Sequence, residues 1–193
     1  MKHLFILIPV LLLCFSSCKK CKLRGDNILT EDFNSYGDWL LYSEYSQQDA
    51  YYSRIEDGNL KLKTDNQYDV CPRATLNLTN NLTNIDGFQV CIHIKKLSLL
   101  KSTSLDFYFS MGQFEMHVNI EKAKSSNTFL VFKVDKDGIT SNLKGALNGQ
   151  IGQKIENDNF TNNFIQISLC PNKSDSTNGQ MYVEIEGIEM TTL

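Results

Sequence analysis

No stretch of this 193-residue chain is apolar for long enough to cross a bilayer as a helix. The longest run, Leu4 to Phe15, falls below the ~20 residues such a helix needs, and Pro9 interrupts it. Low-complexity segments and internal repeats are missing, which excludes solenoids and propellers and leaves a single core. No segment carries a convincing helical stripe, which argues against a layered α/β fold. A basic surplus is also missing: residues 25 to 193 hold 22 acidic and 14 basic side chains, a net charge of −8. A nucleic-acid binder needs a basic footprint, and this chain has none in that region. The cysteines show no C-x-x-C or C-x-x-H spacing, which argues against a structural zinc site, and no cofactor motif is found.

The first residues of the sequence have the form of an export signal. Lys2 precedes the apolar run, and the small pair Ser16 and Ser17 follows it. Phe15-Ser16-Ser17-Cys18 resembles the lipobox of bacterial lipoproteins, although Leu is commoner than Phe at its first position. The resemblance implies that residues 1–17 are removed and that Cys18 becomes an acylated first residue, a contact with membrane lipid. The alternative is an ordinary signal with a chance cysteine. At least two acyl chains hold stably where one holds only marginally. Lys19, Lys20, Lys22 and Arg24 come next, so residues 18–28 read as a basic tether near anionic head groups, or as a plain solvated linker.

Residues 29–193 read as one β-sandwich domain, and 41% hydrophobic content suffices to bury its core. Apolar residues recur with period two: Phe88, Val90, Ile92 and Ile94 alternate with polar neighbours, as do Phe114, Met116, Val118 and Ile120. Shorter alternations include Leu60 and Leu62, Ala74 to Leu78, Ile165 to Leu169, and Met181 to Ile185. Asp57-Gly58, Asp86-Gly87, Asp137-Gly138, Asn178-Gly179 and Glu186-Gly187 read as turns between them. Lys144 to Asn159 is the least regular stretch, a long loop or one short helix. An exported chain permits disulfides, and Cys21, Cys71, Cys91 and Cys170 allow three connectivities that sequence does not resolve.

Glu31-Asp32-Phe33-Asn34, then Trp39, then Ile55 to Leu60 with its Asp57-Gly58 pair, resembles the opening of the concanavalin A-like lectin/glucanase jelly rolls. Asn163 to Ile167 followed by Tyr182 to Gly187 is similar to their late hairpin. The resemblance spans residues 29 to 189 and implies an all-β, two-sheet antiparallel sandwich of jelly-roll type. Glu184, Glu186 and Glu189 resemble the catalytic E-x-D-x-x-E strand of retaining glucanases in that fold. Here Gly187 reads as a turn that breaks the spacing, which favours a solvated acidic hairpin.

Two further groups bear on a ligand. Cys91, His93, Glu115 and His117 fall on the polar sides of two strands and would gather a metal site only if those strands were neighbours. Polar-face histidines on an exposed sheet are the commoner case. Asp135, Asp137 and Gly138 lack the closing Glu of a calcium loop and read as a hairpin turn. Tyr42, Tyr45, Tyr51 and Tyr52, with Arg54, form the aromatic stretch best suited to stacking on sugar C–H faces. The sequence therefore reads as an envelope lipoprotein, on the outer membrane at its periplasmic or surface side, that binds a glycan without chemistry of its own. The alternatives are a structural subunit that docks an envelope protein, and a glycoside hydrolase.

Overall fold

The computed structural model describes residues 21–42, 51–65, 70–79, 82, 85–100, 103–121, 123–143, 147, 163–171 and 179–193. Twelve strands run in chain order: β1 (Asn27–Glu31), β2 (Trp39–Tyr42), β3 (Tyr52–Glu56), β4 (Asn59–Asp65), β5 (Arg73–Leu78), β6 (Gly87–Ser98), β7 (Thr103–Met111), β8 (Phe114–Glu121), β9 (Lys124–Asp135), β10 (Gly138–Ser141), β11 (Asn163–Pro171) and β12 (Gln180–Thr192). They form two antiparallel sheets packed as a sandwich. Sheet A is seven-stranded, in the order β10-β9-β6-β12-β4-β3, with β1 also paired to β12; sheet B is five-stranded, in the order β2-β5-β11-β7-β8.

Period-two alternation builds the core because successive strand residues face opposite sides. Phe88, Val90, Ile92 and Ile94 of β6 are fully buried, as are Phe107 and Phe109 of β7, Met116, Val118 and Ile120 of β8, and Ile165 and Ile167 of β11. Phe88 and Phe109 meet across the sandwich with ring centroids 6.4 Å apart. Trp39 is buried against Phe33, and its indole N–H donates to Glu31 Oε2 at 2.9 Å. The other carboxylate oxygen of Glu31 accepts from the Phe33 amide at 2.8 Å, so one acid pins the chain between β1 and β2.

Two of the expected turns form. Asp57 and Gly58, both at positive φ, join β3 to β4, and Lys61 closes over the turn on Asp57 at 2.8 Å. That hydrogen bond and the lysine charge hold the Asp57 carboxyl below its ordinary value. Asp135 accepts from the Asp137 amide at 2.9 Å and from Lys133 at 2.8 Å, as a tight β9–β10 turn rather than a calcium loop.

Three expectations need correction. Glu186-Gly187 is not a turn: β12 runs straight through, with a register shift against β6 between Ile185 and Gly187. Its first half pairs with β4 and its second half with β1, and Gly187 lets the Glu31 carbonyl approach to 3.2 Å from where a Cβ would sit. The expected late hairpin is absent because β11 belongs to sheet B and β12 to sheet A. Part of the segment read as tether also lies on the sandwich. Cys21 is disulfide-bonded to Cys91, Arg24 O accepts from Thr191 Oγ1 and Gln89 Nε2, Asp26 O accepts from the Thr192 amide, and β1 begins at Asn27. A second disulfide, Cys71–Cys170, ties the start of β5 to the end of β11. Leu147 is the one described residue between Lys144 and Asn159.

Candidate functional site

Each outer face of the sandwich is built from the side chains that alternate with the core. On sheet B these are Tyr42, Arg73, Thr75, Asn77, Phe164, Gln166 and Ser168 on β2, β5 and β11, then Asp106 and Tyr108 on β7, and Glu115, His117 and Asn119 on β8. Register aligns them into rows across the strands. Tyr42 stands opposite Arg73, Arg73 opposite Ser168, Ser168 opposite Asp106, and Asp106 opposite Asn119. A neighbouring row runs from Thr75 through Gln166 and Tyr108 to His117.

A connected polar network fills the β7–β8 half of this face. Asp106 accepts from Asn119 Nδ2 at 2.6 Å and from Ser104 Oγ at 2.8 Å, and lies 3.3 Å from His117 Nε2. The Tyr108 hydroxyl donates to Glu115, a carboxylate that is itself buried. Burial, followed by that hydrogen bond and the Glu115 charge, holds the Tyr108 phenol well above its ordinary value. Rings frame the network: Tyr108 stacks on Phe164 at 5.3 Å and tilts against His117 at 6.2 Å. At the other edge the Arg73 guanidinium lies 4.1 Å over the exposed Tyr42 ring. Among the described residues, Arg73 Nε is a buried donor without a hydrogen-bond partner.

The outer face of sheet A holds a concavity of about 330 Å³, lined among others by Glu31, Asp32, His93, Phe129, Glu186 and Glu189. His93 stacks on Phe129 with centroids 4.2 Å apart, and its Nδ1 lies 2.8 Å from Glu186. Glu184 is paired with Lys96 at 3.3 Å.

These positions separate groups that the sequence suggested together. His93 is on sheet A and His117 on sheet B, while Cys91 is consumed by its disulfide, so the four-residue metal cluster does not assemble. Among the described residues no group of three or more His, Cys, Asp or Glu side chains is placed to hold a metal ion. The aromatic stretch divides as well. Tyr42 lies on the outer face of sheet B, whereas Tyr52 and Arg54 lie on that of sheet A, where the Arg54 guanidinium sits 4.4 Å over the Tyr52 ring. Tyr51 is half-buried just before β3; Tyr45 and Cys18 lie outside the described residues. Asp106 and Tyr108 were not singled out, though the alternation of Ser104, Asp106, Tyr108 and Ser110 with buried Leu105, Phe107 and Phe109 marks them as an outward row.

No protein-family profile matches the chain, and no curated protein matches it in sequence. In structure it is similar to a β-glucanase from Bacillus licheniformis, with TM-score 0.52 and 13% identity over 88% of this chain and 99% of that one. A β-1,3-1,4-glucanase (lichenase) from a mouse hindgut metagenome matches with TM-score 0.52 and 10% identity, covering 86% and 99%. An uncharacterised protein from Mycobacterium paratuberculosis matches with TM-score 0.53 and 11% identity, covering 84% and 99%. At such identities the likeness shows the fold alone, a concanavalin A-like jelly roll.

Proposed function

We propose that this chain is a glycan-directed jelly roll that takes an extended polysaccharide across the outer face of sheet B. The observation that carries the reading is the composition of that face, where the rings of Tyr42, Tyr108 and Phe164 stand among hydrogen-bonding side chains in rows set by strand register. Sugars offer apolar C–H faces to rings and hydroxyls to polar groups, which is the lining such a site requires.

Hydrolysis is the form of this reading that the fold neighbours support, since two of those described above are named as glucanases. The chemistry needs two carboxyl groups at about 5–5.5 Å for retention or 6.5–9.5 Å for inversion. Asp106 and Glu115 are four residues apart in register, about 13 Å along the strands, and do not make such a pair. Asp106 and Glu121 are diagonal neighbours, about 7–8 Å apart at the backbone, close enough for their carboxyl groups to act as such a pair. Binding without cleavage is the second reading, favoured by the three side chains that already occupy Asp106. Glu184, Glu186 and Glu189 lie on the opposite outer face and take no part in either form.

A panel of β-1,3- and β-1,3-1,4-glucans and other envelope polysaccharides separates the two forms. Release of reducing ends that is lost in Asp106→Asn and Glu121→Gln marks a hydrolase. Gel retardation without release, weakened by Tyr42→Ala and His117→Ala, marks a binder. Neither retardation nor release across the panel would overturn the glycan reading. The anchor belongs to the same proposal: Cys18, acylated, holds the domain at the envelope, and the intact mass of the mature amino end tests it.

A further inference from the structure

We infer that the outer face of sheet A is the membrane-side face of this protein, lying against an anionic bilayer while the face of sheet B points away from it. The inference rests on acylation of Cys18 and adds to it the position of one disulfide. Only Lys19 and Lys20 separate Cys18 from Cys21. Cys21 is bonded to Cys91, with the two Cα atoms 6.2 Å apart.

Cys91 lies on β6, inside sheet A, paired with Val131 on one side and Glu189 on the other. Its side chain shares the outward direction of Gln89 and His93, so Cys21 sits over the middle of the outer face rather than at a rim. Three residues extend at most about 10–11 Å. From β6 the nearer and farther edges of the sheet lie two and three strands away, about 10–14 Å. Reaching the opposite face requires a further ~10 Å sheet spacing as well as the outer side chains. The leash is therefore too short to bring the acylated residue round to sheet B.

The strand charge of the two faces differs, although Glu31, Asp32, Glu186 and Glu189 stand beside Cys91 on the sheet A face. All the lysines within strands, Lys61, Lys63, Lys95, Lys96, Lys124 and Lys133, belong to sheet A, whose strands hold as many bases as acids. The strands of sheet B hold Asp106, Glu115 and Glu121 against Arg73 alone. Lys22 and Arg24 add their charge on the side of sheet A, because Cys21 and the Arg24 carbonyl are fixed there. An anionic leaflet attracts such a basic segment within about a Debye length.

The test uses the processed, full-length lipoprotein in vesicles of phosphatidylcholine containing phosphatidylglycerol, with hydroxyl-radical footprinting read by mass spectrometry. Relative to a secreted Cys18→Ala form, Phe129 and Val131 should lose labelling several-fold while Leu40 and Tyr42 keep theirs. A flexible insert of about 20 residues between Lys20 and Cys21, reaching some 25 Å, should return Phe129 and Val131 most of the way to the secreted level. Protection of Leu40 and Tyr42, equal protection of both faces, or protection undiminished by the insert would each overturn the inference while leaving the anchor in place. Loss of vesicle flotation together with an unacylated amino end would overturn the anchor and the inference with it.

Discussion

Tyr108 shows how far one outward side chain can depart from a solvated surface residue. Its ring is half-buried between Phe164 and His117, and its hydroxyl donates to buried Glu115. Ionising that phenol would strip the donor from the bond and set two negative charges together, so the folded chain resists a loss that the unfolded chain accepts near pH 10. A raised folded pKa contributes stability that is complete below the unfolded value and is lost as pH climbs past it. Urea midpoints measured from neutral to strongly alkaline pH should therefore fall above about pH 10, and Tyr108→Phe should flatten that fall. An unchanged alkaline slope in the variant would mean that the bond has no bearing on stability. Glu115 and His117 were legible from the sequence as polar-side residues because alternation gives the face. Asp106 and Tyr108 alternate with the core in the same way, but that they stand beside Glu115 and His117 was not legible, since alternation does not say which strand lies alongside.

Elements were more legible than their connections. Core-facing alternation marked β4, β5, β6, β8, β11 and β12 because a buried strand must turn every second residue inward. Gly after Asp correctly marked the β3–β4 and β9–β10 turns. The same signal misled at Gly187, since a glycine serves a bulge or a close backbone approach as readily as a turn. The β7–β8 hairpin had no Asp-Gly or Asn-Gly flag; Gly112 takes φ +58° at the first central position, where a two-residue loop of matching twist calls for glycine. A Cβ there would lie 2.3 Å from the Leu82 carbonyl oxygen. Gly112→Ala is expected to cost about 1–3 kcal/mol, from backbone strain and that contact, visible as a lower denaturant midpoint at unchanged m-value. Because this hairpin sets β7 against β8, the same variant should disturb the Asp106–Asn119 alignment.

For the whole molecule, what the sequence withheld was the partition into sheets. Asn163 and Tyr182 belong to neighbouring strands in the chain yet to opposite layers, and neither period nor spacing carries that information. Disulfide pairing was withheld for the same reason: the three possible connectivities differ only in what the fold brings together. Cys71–Cys170 closes a separation of 99 residues within sheet B, and replacing both with Ser should cost about 2–5 kcal/mol, measured as a lowered midpoint against the unreduced parent. No loss would indicate that the native sheet gains nothing from the link. The position of β12 has a consequence for biosynthesis. It joins β1, β4 and β6, all of which precede it, so the β10-β9-β6 and β4-β3 halves of the larger layer stay apart until residues 180–192 leave the ribosome. Such late, long-range pairing is slow, and until it forms the facing edges of the two halves stay unpaired and open to wrong partners.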